Sequence, residues 1–288
     1  MKLKLRNSVA AISLIVVCFA GATAQKSTRP VAFRPFEPAE ELVYEAEMSR
    51  GILRKLDVAE LRLKSQRSNI RKGEQVNKAA ETLVLSCDVA SKGFFPRLFG
   101  LRFRETLEST IEPVSFVVQT SKRIDEHGKR IRSSEAVFDH ARGKVSWTEL
   151  DPNDPKRPPR VVNGEFSGRI HDVLSAIYFL RTQPLQVGKS FELPISDSGQ
   201  VYKVPMRVLE KKRLKTVIGR VDAYLVEADL FGARGMLDGE GKFFIWFTDD
   251  ARRVPVSVKI KSEYGTFDIK LKKLTHNPAS QQYLTQQD

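Results

Sequence analysis

A two-residue alternation of apolar and polar side chains constrains this chain more than any other feature. In VPVSVKIK, Val254, Val256, Val258 and Ile260 alternate with Pro255, Ser257, Lys259 and Lys261; in FDIKLKK, Phe267, Ile269 and Leu271 alternate with Asp268, Lys270 and Lys272. Successive side chains of a strand point to opposite faces. Period two therefore gathers the apolar set on one face and the lysines on the other. With SEYG as the turn, the two runs predict an antiparallel hairpin with one wet face. GKFFIWFT, just upstream, is continuously apolar and predicts a strand covered on both sides, turned by DDARR into the next.

The same reading extends along the chain. ELVYEAEM, AELRLKS, ETLVLSCDV, VSFVVQTSKR, EAVFDHARGKVSWTEL, VYKVPMRVLEKK and DAYLVEADL are of strand length and bounded by turns, with Gly143 closing a hairpin between Val137 and Val145. Strand runs about a dozen residues apart, with few helical stretches, predict a meandering antiparallel sheet. The fold class expected is mainly β: one curved sheet or partly open barrel carrying one short helix. DPNDPKRPPR, with four prolines that lack donors, predicts an exposed loop and a boundary between two halves of the sheet.

The ends predict export. Lys2, Lys4 and Arg6 precede an apolar run from Val9 to Ala20, and Ala22-Thr23-Ala24 is a small-x-small cleavage site. That pattern is a secretory signal peptide, too short and wrongly flanked for a span. Cys18 follows Val17 rather than a small residue, which favours cleavage near Ala24 over lipidation. The organisation expected is a signal peptide over 1–24, an extended lead-in over 25–41, one β domain over 42–274 and a polar tail over 275–288. The mature chain is expected to be soluble in the periplasm or outside the cell, without a transmembrane segment. Cys87 is then the sole cysteine, expected as a buried small hydrophobe.

Loss of Lys2, Lys4 and Arg6 lowers the formal net charge from +13 to +10. For an exported protein this surplus points to anionic envelope material, lipid or glycan, rather than to nucleic acid; it also serves solubility.

In GRIHDVLSAIYFLRTQPLQVGKSF, His171, Asp172 and Ser175 have the side chains of a hydrolase triad. Adjacent His171 and Asp172 cannot both serve Ser175 in a Ser–His–carboxylate chain while that turn stays helical, and no G-x-S-x-G surrounds the serine. The segment predicts a helix from about Asp172 to Arg181. Asp172 is its N-cap, Val173, Leu174, Ile177 and Leu180 its apolar stripe, Arg181 the cation at its C-terminal end and Pro184 its stop. His127, His140 and His276 lack zinc spacing. Asp249-Asp250 reads as a turn cap. No catalytic residue, metal ligand or cofactor is assigned.

One stretch is a candidate ligand surface. In GFFPRLFGLRFRE, Phe94, Phe95, Phe99 and Phe103 interleave with Arg97, Arg102 and Arg104. Of these, Phe95, Arg97, Phe99, Arg102 and Arg104 could meet an amphiphile at the mouth of an apolar cavity. The plain alternative is a strand whose phenylalanines fill the core while its arginines face water.

The order and spacing of LVYEAEM, HDVLSAIYFLRTQPLQVGKSF, VYKVPMRVLEKK and FFIWFTDDARRVPVSVKIKSEYGTFDIKLKKL resemble the bacterial exported family called domain of unknown function 3108, over roughly Leu42 to Leu274. The resemblance implies an envelope protein with no established activity and supplies no catalytic residues. The expectation is a non-enzymatic binder or carrier of an amphipathic or anionic envelope molecule. The rivals are a scaffold that docks through its lysine-bearing face and a hydrolase built from scattered residues.

Overall fold

The computed structural model describes residues 36, 39–70, 80–93 and 102–276, and the fold is given for those. The N-terminal arm is a meander of β1 (Ala39–Arg50), β2 (Leu53–Ile70), β3 (Ala80–Ser91), β4 (Phe103–Glu112), β5 (Val117–His127), β6 (Arg130–Asp139), β7 (Lys144–Leu150) and β8 (Arg160–Glu165). The C-terminal arm runs β9 (His171–Asp172), helix α1 (Val173–Leu180), β10 (Ser190–Asp197), β11 (Gln200–Thr216), β12 (Gly219–Ala228), β13 (Gly241–Thr248), β14 (Pro255–Ser262) and β15 (Gly265–His276). Strand β1 pairs with β15, so both arms join in one sheet ordered β8 to β1, then β15 back to β9. Every pairing is antiparallel except that of β9 with β10. The single curved sheet expected from the alternation is the fold observed.

The register follows the period-two pattern. Leu42 opposes Leu63, Leu63 opposes Cys87, and Tyr44 opposes Leu271, and all five face the core. The opposite face interleaves charges. Glu45 pairs with Lys92 at 2.6 Å and Lys272 at 3.0 Å, and Asp268 pairs with Lys259 at 3.1 Å. Hydrogen bonds from Lys92 and then Lys272 hold the Glu45 carboxyl below the usual carboxylate range.

The sheet curls until its ends meet. Gly164 of β8 lies against the β10–β11 turn so closely that a Cβ there would stand 2.5 Å from the Gly199 carbonyl oxygen. Only glycine permits that approach. The enclosed space is taken up by α1, whose residues belong to both main clusters. Leu174 and Tyr178 pack with Leu42, Leu83 and Ile111, while Ala176 and Leu180 pack with Val204, Val226 and Phe247. The expected one-sided stripe is therefore incomplete. Val173 and Ile177 are only half-buried, whereas Ala176 and Tyr178 on other sides of the helix are buried, as befits a helix apolar all round.

Three boundaries differ from the sequence reading. Strand β1 begins at Ala39, inside the expected lead-in, and buried Phe36 packs edge-on to Tyr178 at 5.0 Å. Strand β15 continues to His276, which opposes Glu40. The proline loop is exposed, but it joins strands that pair directly. The chain crosses between the two arms through residues 166–172 and α1 instead. The expected signal peptide and most of the polar tail lie outside the described residues.

Candidate functional site

The histidine stretch folds as a capped helix start. Asp172 Oδ1 accepts from the Ser175 backbone N–H at 2.7 Å, and Ser175 Oγ accepts from the Asp172 N–H at 3.0 Å, a reciprocal capping box. The remaining carboxylate oxygen accepts from the Ser109 hydroxyl at 2.5 Å, which ties the helix start to β4. His171 turns away from both. Its ring stacks on Phe179 at a centroid distance of 4.3 Å and lies 6.4 Å from Phe116. It is fully buried, and neither ring nitrogen has a hydrogen-bond partner. Burial, helped by nearby Arg169, pushes its pKa down to about 3, so the ring is neutral. The three side chains do not form a Ser–His–carboxylate relay.

Arg181, expected only as a cation at a helix end, anchors the helix. Its guanidinium donates to Glu40 Oε1 at 2.5 Å and Oε2 at 2.9 Å, and to the Arg252 carbonyl at 3.2 and 3.1 Å. Both charged side chains are completely buried. Phe36 and Tyr178 stack on the guanidinium at 5.0 and 5.4 Å. Burial works against its charge, but the Glu40 carboxylate outweighs this and raises its pKa. One fork-to-fork pair thus ties α1 to β1 and to the β13–β14 turn.

Of the candidate ligand residues, Phe95, Arg97 and Phe99, with neighbouring Phe94, lie outside the described residues. Arg102 is exposed. Arg104 is exposed too and donates twice to Asp88 Oδ2, at 3.0 and 2.6 Å. Phe103 between them is half-buried against a small core of Ala46, Val58 and Ala59. Residues 102–104 thus follow the plain strand alternation.

The other candidates have structural roles. Asp250 accepts from the Thr248 hydroxyl and from the Arg252 and Arg253 N–H groups, closing its turn, and Asp249 pairs with Lys211. His140 Nε2 lies 2.7 Å from the Val118 carbonyl oxygen, and His127 Nε2 lies 2.9 Å from Asp125. Cys87 is buried, and burial pushes its thiol up to about 12. Among the described residues, no group of three or more His, Cys, Asp or Glu could hold a metal ion.

Sequence reasoning passed over a groove built by the β11–β12 ribbon. Strand β12 pairs with β13 only from Ala223 to Ala228, so the ribbon beyond Ala223 runs past its neighbour. Its base carries a bulge. Val208 opposes Val226 and Glu210 opposes Leu225, leaving Leu209 extra. Bulges bend a strand and sharpen its twist. The ribbon tip stands over β13–β15, and an open groove of ≈ 510 Å³ lies here, close in volume to one of ≈ 530 Å³ elsewhere. Leu214, Lys215, Thr216 and Val217 line it on the ribbon side; Trp246, Ser257, Lys270 and Lys272 line it on the sheet side. Trp246 opposes Ser257, and Ser257 opposes Lys270, so these three share one face.

Two further bulges shape the groove. Trp246 opposes Ser257 while Phe247 opposes Pro255, leaving Val256 extra on β14. Val43 opposes Lys273 while Tyr44 opposes Leu271, leaving Lys272 extra on β15. Val256 and Lys272 both line the groove. Between Arg207 and Asp222, six basic residues stand against two acidic ones. The only sequence signal was GKFFIWFT, read as covered on both sides: Trp246 is half-buried with the ribbon tip above it.

The comparisons agree with this fold. No curated protein matches the chain. Among solved structures, the chain is similar to a beta-barrel-like protein of domain of unknown function DUF1849 from Brucella abortus. That likeness has 10% identity and a TM-score of 0.50, and covers 84% of this chain and 98% of that one. At that identity it bears on the fold alone. The hypothetical protein CT021 from Chlamydia trachomatis also aligns, with 11% identity over 83% of this chain and 87% of that one, but its TM-score of 0.27 carries no argument. The family described as "Protein of unknown function (DUF3108)" matches residues 50–272, and the chain belongs to that family.

Proposed function

We propose that the protein is exported to the cell envelope and there binds an anionic, amphipathic envelope molecule without catalysing a reaction on it. The observation that carries this reading is the pairing of charge with apolar surface at the β11–β12 ribbon, where a basic excess borders a groove containing Leu214, Val217 and Trp246. Positive charge draws anionic material to the surface, and apolar surface beside it holds the uncharged part. The sequence reading sought the ligand in a cavity inside the sheet. Helix α1 fills that space with both main clusters, so the groove on the outside of the sheet is the seat proposed instead. The basic run and small-x-small site before Gln25 support export.

The scaffolding reading is favoured by one observation. Strand β8 ends the sheet, and although the β10–β11 turn covers it at Val162 and Gly164, exposed Val161 offers an apolar contact to a partner. Co-sedimentation with anionic and with zwitterionic vesicles separates the readings. The binding reading predicts retention on anionic vesicles at low salt and release as salt shortens the screening length. Equal sedimentation with both vesicle types at all salt concentrations would count against it.

A further inference from the structure

We infer that the groove beneath the β11–β12 ribbon seats one molecule of a single-chain anionic amphiphile, a phosphate- or carboxylate-headed alkyl compound. This inference rests on the envelope-binding reading above and names its site. The volume of ≈ 510 Å³ falls within the range of about 300–1,000 Å³ usual for small-molecule sites. A slot of that size suits one molecule rather than a bilayer face.

The lining divides by chemistry. Leu214, Val217 and Trp246 offer apolar surface, with buried Val256 beneath them, and Lys215, Lys270 and Lys272 supply positive charge. Lys270 stands 3.6 Å from Glu47 and Lys272 3.0 Å from Glu45, so part of their charge is met within the sheet. Lys215 is exposed on the ribbon and has no ion-pair partner among the described residues, which leaves it the charge most available to a ligand. Val217, 55% exposed, leaves apolar surface uncovered at the rim.

The backbone argues that the groove is built rather than incidental. A single bulge would be an ordinary irregularity. Here the bulge at Leu209 bends the ribbon at its base, and those at Val256 and Lys272 each add a residue that lines the floor. Bulges re-aim side chains and recur beside functional sites. Two bulged residues lining one groove of apolar and cationic side chains, beneath a ribbon that a third bulge bends, is the juxtaposition on which the inference stands.

The test uses dodecyl phosphate below its micelle-forming concentration, with inorganic phosphate and dodecyl maltoside as controls. Trp147→Phe leaves Trp246 as the sole tryptophan, and titration calorimetry on the unaltered chain gives the stoichiometry. The expected result is one dodecyl phosphate per chain with a saturable blue shift of Trp246 emission, and no response to either control. Lys215→Gln with Lys270→Gln should weaken binding about ten- to thirtyfold, the upper figure being the full effect of two near-surface lysines and the lower one applying because Glu47 already meets part of the Lys270 charge. Val217→Glu, at an exposed position that leaves the melting curve unchanged, should weaken it by a similar factor. An unshifted Trp246 in a protein that still sediments with anionic vesicles would overturn the groove and spare the envelope-binding reading. Silence in both assays would overturn both. An equal response to inorganic phosphate would overturn the amphiphile, and unaltered affinity in the lysine variant would overturn the lysine role.

Discussion

Arg181→Met removes one half of a buried ion pair, and its cost follows from the geometry. The substitution deletes two hydrogen bonds to Glu40, at 2.5 and 2.9 Å, and two to the Arg252 carbonyl. Methionine fills much of the vacated space, so little of the loss is cavity. What remains is a carboxylate in a site with no exposure to water. Glu40 keeps a further contact, but loss of the opposite charge from a buried pair still costs about 3–5 kcal/mol. Glu40→Leu alone strands the guanidinium instead and should cost a similar amount, softened by the Arg252 carbonyl. The double variant leaves neither charge behind, and replacing a whole buried pair by apolar residues is often neutral or stabilising. The double variant should therefore regain most of the loss, within about 1 kcal/mol of the original chain. Urea unfolding of the four proteins measures this, with the slope of free energy against denaturant held constant as a check on the comparison. A single variant losing less than about 1 kcal/mol, or a double variant as unstable as the sum of the singles, would refute the reasoning.

Three further outcomes are expected. His171 has a folded pKa of about 3 against an ordinary 6.5, so the folded state binds fewer protons below pH 6.5. Its contribution is complete above pH 6.5 and is lost, by a few kcal/mol, as pH falls toward 3; His171→Phe should flatten that stretch of the stability profile, and parallel profiles would show the ring is not the cause. Asp172→Ala should cost about 2 kcal/mol in thermal unfolding, more than an exposed cap, because the Ser109 hydroxyl also loses its acceptor inside the core; a loss under 0.5 kcal/mol, on that cap scale, would contradict the geometry. Gly164→Ala should cost about 1–3 kcal/mol by pressing a methyl onto the Gly199 carbonyl where the sheet closes, and an unchanged melting temperature would mean that this closure is loose.

The strands were legible because their rule is local. Val258 and Ile260 face inward and Lys259 outward for the reason that fixes every second residue of a strand. The cap at Asp172 was legible for the same reason: its partner is three residues away. What escaped depends on distance. Glu40 and Arg181 are 141 positions apart, and nothing near either residue announces the other. The all-round burial of α1 left a trace in the sequence, since Ala176, Tyr178 and Phe179 lie off the apolar stripe, but a stripe alone satisfies a helix lying on a sheet. The groove depends on extra residues at Leu209, Val256 and Lys272, and a residue is extra only in relation to a partner strand. In the arginine–phenylalanine stretch, alternation correctly sent Phe103 inward and Arg104 outward.

Native mass spectrometry of the protein released from the envelope of its own cells, without detergent exchange, tests the envelope-binding claim most directly. The claim predicts a species heavier than the chain by one anionic amphiphile, with the added mass lost from the Lys215→Gln, Lys270→Gln protein. A chain that leaves the envelope at its bare mass, or carries only an uncharged adduct indifferent to those lysines, would contradict it.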